Sequence, residues 1–180
     1  MGRLGRLPVE IPQGVEVKLD RDLIEVKGPK GSLSRRLTRN VEVKQTDDGI
    51  LVTNKNETKP SKMMQGTLRS HIRNMMHGVT EGWRRQLEVN GPGYRAEVKG
   101  KDISLTLGYS HPVVIEGREN MSFNVEKNII TVESPDKEDV GHVAALIRGA
   151  RKPNVYTGSG VKYIDEVIRR KAGKQAGSGE

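Results

Sequence analysis

Four histidines, His71, His77, His111 and His142, are the first residues to test for acid–base or metal chemistry. His71 and His77 stand six positions apart, which places them on different faces of a helix rather than at metal-ligand spacing. The other two lie far off in sequence. The adjacent carboxylates Asp47-Asp48 and Glu138-Asp139 fall in a turn and at a helix start, where solvated charge accounts for them. No serine sits in the strand–elbow–helix setting that a nucleophile needs. With no cysteine, the chain has no thiol nucleophile, zinc ribbon or disulfide framework. Three glycine-rich loops invite a phosphate cradle. Gly28-Pro29-Lys30-Gly31-Ser32 lacks the four-residue spacer and the closing Gly-Lys-Ser/Thr of a P-loop, and it joins strand to strand. Gly91-Pro92-Gly93 is likewise a turn between strands, and Gly158-Ser159-Gly160 precedes no helix start. The sequence therefore predicts no enzyme, no cofactor and no metal site.

Charge points elsewhere. Lys plus Arg number 31 against 23 Asp plus Glu, a formal net charge of +8 over 180 residues. Such a balance suits a polyanionic partner. Cations beside flexible glycines let ammonium groups and backbone amides approach phosphates together. Aromatic residues are 3% of the chain: Trp83, Phe123, Tyr94, Tyr109, Tyr156 and Tyr163. That scarcity argues against a sheet face of base-stacking platforms and for binding folded RNA by shape and phosphate contacts. No apolar run approaches a membrane span, and no secretory signal is visible at the start, so a cytoplasmic protein with no membrane partner is expected.

The elements that must position these residues follow from hydrophobic period. Val15, Val17 and Leu19 alternate with polar residues, as do Ile24 and Val26, Val41 and Val43, and Ile50 and Val52. This is the pattern of an antiparallel sheet with one face on a core. Asp20-Arg21-Asp22, Gly28-Pro29-Lys30-Gly31 and Asp47-Asp48-Gly49 supply turns. The period then changes: Met64, Leu68, Ile72, Met75 and Val79 form one stripe on a helix from about Ser61 to Gly78, with Pro60 in its first turn and the methionines as core filler. From Trp83 the order repeats. Strands are expected around Leu87, Ala96, Ile103, Val113, Phe123 and Ile130. A second helix follows from about Asp136 to Ala150, with Ser134 as N-cap and Val140, Val143, Ala144 and Ile147 as its stripe.

Local echoes support a duplication. Glu16-Val17-Lys18 recurs as Glu97-Val98-Lys99, and His71-Ile72-Arg73 as Leu146-Ile147-Arg148. The fold class expected is α+β: two similar small domains, each an antiparallel sheet with one helix packed on it, plus a basic C-terminal arm. The boundaries expected are residues 1–81, 82–152 and 153–180. The last segment is rich in glycine and cations and short of core residues, and it reads as an arm that gains structure only against a partner.

In this order the chain resembles a known family. The residues that carry the resemblance are Met1-Gly-Arg-Leu-Gly-Arg-Leu-Pro8, Val26-Lys-Gly-Pro-Lys-Gly31, Asn74-Met-Met-His-Gly-Val-Thr-Glu-Gly82, Gly91-Pro-Gly-Tyr-Arg-Ala96 and Leu107-Gly-Tyr-Ser-His-Pro112. Asp136-Lys137, Val140-Gly141, Ile147-Arg148, Lys152-Pro153, Tyr156, Gly158 and Gly160-Val-Lys-Tyr163 continue it. The family is the bacterial-type large-subunit ribosomal protein six. The resemblance implies two similar α+β domains and no activity or cofactor. It also implies binding to large-subunit ribosomal RNA near the sarcin–ricin loop and the translation-factor site. Neighbouring ribosomal proteins are implied partners, with translation factors as a further candidate. The chain departs from the family at Thr157 and Ser159, where lysines are usual, and in Gly66-Thr67-Leu68-Arg69-Ser70-His71.

The RNA-binding residues expected are Tyr94, Arg95 and Lys99 near the second-domain turn. In the arm they are Arg151, Lys152, Tyr156, Gly158, Gly160, Lys162, Tyr163, Arg169, Arg170 and Lys171. Cations would neutralise phosphates, glycines would permit close approach, and tyrosines would pack on sugar or protein. The competing reading is a protein-interaction scaffold that happens to be basic.

Overall fold

Alternating apolar residues become strands in the first half of the chain: β1 (Glu16–Leu19), β2 (Leu23–Gly28), β3 (Gly31–Arg36), β4 (Val41–Thr46) and β5 (Gly49–Asn54). The computed structural model describes residues 7–46 and 48–174. Residues 1–6 of the opening motif, Asp47 of the predicted turn, and Gly177, Gly179 and Glu180 of the tail lie outside the described residues. The order β1-β2-β3 makes one sheet and β4-β5 another, each with antiparallel pairing. Two sheets therefore stand where one was expected. Gly28 opposes Gly31 across the turn, as the turn residues predict. β3 was not predicted, because Leu33 is its single core-directed apolar residue and an edge strand needs no more.

Helix α1 (Lys59–Thr80) carries Leu68, Ile72, Met75, Met76 and Val79 into a core with Ile24, Val26, Val41, Ile50 and Val52. Burying each such side chain contributes roughly 1.5–3 kcal/mol. The methionines divide. Met75 and Met76 are buried and Met64 is packed against the core, but Met63 faces solvent. Ser61 is buried in the first turn, and its hydroxyl donates to the Asn40 carbonyl at 2.7 Å.

The second half repeats the plan: β6 (Trp83–Asn90), β7 (Arg95–Lys99), β8 (Asp102–Thr106), β9 (Val113–Ile115), β10 (Ser122–Glu126), β11 (Ile129–Ser134), α2 (Lys137–Ala150) and β12 (Gly160–Tyr163). β7-β8-β9 is a three-stranded sheet like β1-β2-β3, and the echoed tripeptides sit on its first strand and on β1. Ile72 and Ile147, centres of the helical echo, are both fully buried. The second sheet has the order β10-β11-β6-β12. In the first half β5 pairs with β4 and, besides that strand, makes a single isolated bridge, Ile50 to Val9. Ser134, predicted as the cap of α2, is the last residue of β11, so Asp136 immediately precedes the helix.

Contacts divide the chain into two units. One ends at Trp83 and includes Pro135–Lys137; the other holds Arg84–Ser134 and continues from Glu138. The segment expected as an arm from residue 153 is thus part of the second unit. β12 pairs antiparallel with β6, and Val161 is fully buried. Four residues, the first of them a glycine, are too few to show a period, which hid this strand in the sequence.

Two local devices hold that segment. Gly160 has φ +141°, and a Cβ there would lie 2.6 Å from the Pro153 Cα and 2.7 Å from the Lys152 carbonyl oxygen. Only glycine lets β12 start this close to the preceding loop. Past the strand, Glu166 accepts from Arg148 Nε at 2.7 Å and from Arg148 Nη2, and from the Tyr163 amide at 3.3 Å. The Arg148 guanidinium, helped by the Tyr163 amide, holds the Glu166 carboxyl below the usual carboxylate range.

Gly160→Ala is expected to cost about 1–3 kcal/mol through its strained backbone and collision. The Val161 amide should then exchange with solvent faster than in the native chain. For Glu166 the depressed folded value means its stabilisation is complete above the unfolded value, about 4.3, and is lost as pH falls through the folded one. Glu166→Gln should therefore lower Tm near neutral pH, and the gap to the native chain should close as the pH falls through the depressed folded value. A gap unchanged by acid would show that the carboxylate charge plays no part.

Candidate nucleic-acid interface

The predicted binding residues do not form one patch. Their centre is a cleft of about 800 Å³ in the second unit. It lies among the end of α2, the loop that follows it, and the turns carrying Pro92, Tyr94 and Tyr109. Four predicted residues line it: Tyr94, Arg151, Lys152 and Tyr156. None of the residues lining the cleft is acidic.

The loop is built by its own polar groups. The Asn154 side-chain oxygen accepts the Tyr156 amide at 2.8 Å, and its carbonyl accepts the Gly158 amide at 2.8 Å. The Asn154 amide donates to the Ser159 carbonyl at 2.8 Å. An asparagine turn of this kind fixes the backbone while leaving the next side chains outside. Thr157 uses its hydroxyl to accept the Ser159 amide at 3.3 Å. The loop is closed at its base, where the Val161 amide donates to the Arg151 carbonyl at 2.8 Å.

Arg151 is held by rings rather than by acids. Its guanidinium carbon lies 4.8 Å from the Tyr109 centroid and 5.4 Å from the Tyr94 centroid. Both distances fall in the cation–π range. It has no ion-pair partner among the described residues. The Tyr109 hydroxyl donates to the Ala150 carbonyl at 3.1 Å, answering one of the free carbonyls at the end of α2.

The other predicted residues have different surroundings. Lys162 pairs with Glu88 across the sheet at 3.0 Å, and Asn90 donates to the same carboxylate at 2.8 Å. Those hydrogen bonds, from Lys162 first and Asn90 second, hold the Glu88 carboxyl below its ordinary value. Tyr163 lies between Arg85 and Arg148, with guanidinium carbons 4.7 and 5.8 Å from its ring centroid. Arg85 in turn pairs with Asp165 at 3.2 Å. Arg95 and Lys99 are exposed on β7, opposite Thr106 and Asp102. Gly158 has φ +78°, and a Cβ there would lie 2.6 Å from Arg170 Nη2, so this guanidinium packs over the loop backbone. The Lys171 amide donates to the Val155 carbonyl at 3.0 Å, and Arg169 is exposed. Tyr109 and Asn154 were missed as site residues. The turn signal of Asn154 was there to be read, but the hydroxyl partner of Tyr109 lies 41 positions away.

Among the described residues no cluster of three or more His, Asp or Glu side chains could hold a metal ion. No described helix is long and apolar enough to cross a membrane. The arrangement can offer cations, a ring and backbone amides to an anion; it assembles no nucleophile with a base.

Known proteins match along the whole chain. The family profile described as Ribosomal protein L6 matches twice, over residues 11–82 and 90–164, one match for each repeat. A large ribosomal subunit protein uL6 of Lachnoclostridium phytofermentans is 49% identical, over 97% of this chain and 98% of the relative. The protein of the same name in Desulfovibrio desulfuricans is 46% identical over 98% and 99%. That of Trichormus variabilis is 45% identical over the full length of both. Two profile matches that coincide with the two structural repeats, and identity near one half from end to end, place this chain in the ribosomal protein L6 family.

Proposed function

We propose that the protein is a structural, non-enzymatic constituent of the large ribosomal subunit that binds folded large-subunit RNA through its second repeat. The observation that carries this reading is the cleft at the end of α2, where Arg151 and Lys152 stand among tyrosines with no acidic lining residue. The family membership and the names of the relatives support the ribosome as its place of action, in the cytoplasm. A site near the sarcin–ricin loop and the translation-factor site is what the family resemblance implies. Residues 1–81 are then left for neighbouring ribosomal proteins and translation factors. Arg95, Lys99, Arg169, Arg170 and Lys171 extend the basic surface as phosphate contacts. Lys162 and Tyr163 act differently, by holding β12 in its sheet.

Because β12 supplies core, a cut after Ala150 would remove Val161 and damage the second unit. A cut after Glu166 keeps the strand and its Arg148 clamp while removing Arg169, Arg170, Lys171 and Lys174. The full chain should bind large-subunit RNA with an affinity that falls steeply with salt, the logarithmic slope growing by about −0.9 for each duplex phosphate neutralised. The shortened chain should stay folded, bind more weakly and show a shallower slope. Flat affinity across the salt titration would overturn the reading in favour of a protein scaffold.

A further inference from the structure

Tyr156 is 58% exposed although its backbone is pinned by Asn154. Among the described residues no ring or cation covers its own ring. Tyr94 and Tyr109, by contrast, already share Arg151. The cleft therefore presents one open aromatic face on a rigid loop. Beside it stand a guanidinium held in place without a carboxylate and the exposed ammonium of Lys152. A volume of about 800 Å³ exceeds what a single surface phosphate needs. It lies in the range of sites that enclose a small organic ligand, roughly 300–1,000 Å³. The carbonyls at the end of a helix would ordinarily repel an anion. Here the Tyr109 hydroxyl donates to one of those carbonyls and the Arg151 guanidinium lies over the same Tyr109 ring, which offsets the repulsion.

A phosphate of an intact duplex has no use for an open ring, because paired bases keep their faces hidden in the stack. A nucleotide turned out of the helix exposes both a face and a phosphate. Resting on the RNA-binding reading above, we propose that this cleft receives one extruded nucleotide of the RNA, its base stacked on Tyr156 and its phosphate held by Arg151 and Lys152. The chemistry selects a planar base carrying a phosphate. Stacking tolerates all four bases, so the site would recognise a bulge rather than a sequence.

The test compares a fully paired RNA duplex with the same duplex carrying a single-nucleotide bulge, each titrated with the full chain. The bulged RNA should bind about ten-fold tighter, as expected for one base stacked on an aromatic ring. Tyr156→Leu, at an exposed position, should abolish that preference, and Tyr156→Phe should keep it. Equal affinity of the native chain for both RNAs would overturn the proposal. So would a preference that survives in Tyr156→Leu. If both RNAs bind equally and with steep salt dependence, the RNA-binding reading stands without the extruded nucleotide. If neither binds, both readings fall.

Discussion

The pairing of β12 with β6 is the contact on which the rest of the second repeat depends. It buries Val161 and draws the Val161 amide onto the Arg151 carbonyl. Those two restraints turn the stretch from Arg151 to Gly160 from a tail into a closed loop. A closed loop with an asparagine turn inside it has few conformations left to lose on binding, so its cations and ring meet a ligand already placed. Gly160 makes the closure sterically possible, and the Arg148–Glu166 clamp keeps the strand from fraying at its far end. Even the residues beyond the clamp lean on this loop, through Arg170 over Gly158 and the Lys171 amide on Val155.

The basic excess of the sequence resolves into two populations. Lys162, Arg85 and Arg148 are committed to Glu88, Asp165 and Glu166 inside the protein. Half-exposed pairs of this kind contribute only about 0–1 kcal/mol each. Their larger effect is to remove those cations, and the acids beside them, from the field around the cleft. Arg151 and Lys152 are left unneutralised there. Arg151 is oriented by aromatic rings, which fix a guanidinium without cancelling its charge. A net charge of +8 is therefore a weak guide by itself; what matters is which cations lack acids.

The repeated architecture was legible because hydrophobic period is a local property. Val17 and Val98 sit on matching edge strands, and Ile72 and Ile147 at the centres of the two helices, so short echoes reported a real duplication. β3 and β12 were hidden for one reason: each turns a single apolar residue to the core, the half-buried Leu33 or the buried Val161, and one residue has no period. Ser134, which has the chemistry of a helix cap, also ends β11, a double position that local sequence does not reveal. At the site, Lys152 and Tyr156 were visible through residues that match a family, and Arg151 through the run of cations that follows α2. Neither the Arg151 sandwich nor the separation of Lys162 from the cleft was visible. Both depend on which distant strand or turn lies alongside.

The low aromatic content invites a different inference once the fold is known. Taken as an average, 3% argues against a sheet face of base-stacking platforms. Rings are not averaged over a folded surface, however. Of the four tyrosines, Tyr94, Tyr109 and Tyr156 line one cleft. Two of them orient a cation, and the third keeps its face open. A sheet platform that reads several bases in a row needs aromatics spread over adjacent strands, and this chain lacks them. A single stacking position needs one ring, rigidly held, next to positive charge. Scarcity thus excludes the extended mode of single-strand binding and leaves the one-nucleotide mode intact. A protein that grips folded RNA mainly through phosphates can use such a position to fix its register on an otherwise uniform backbone.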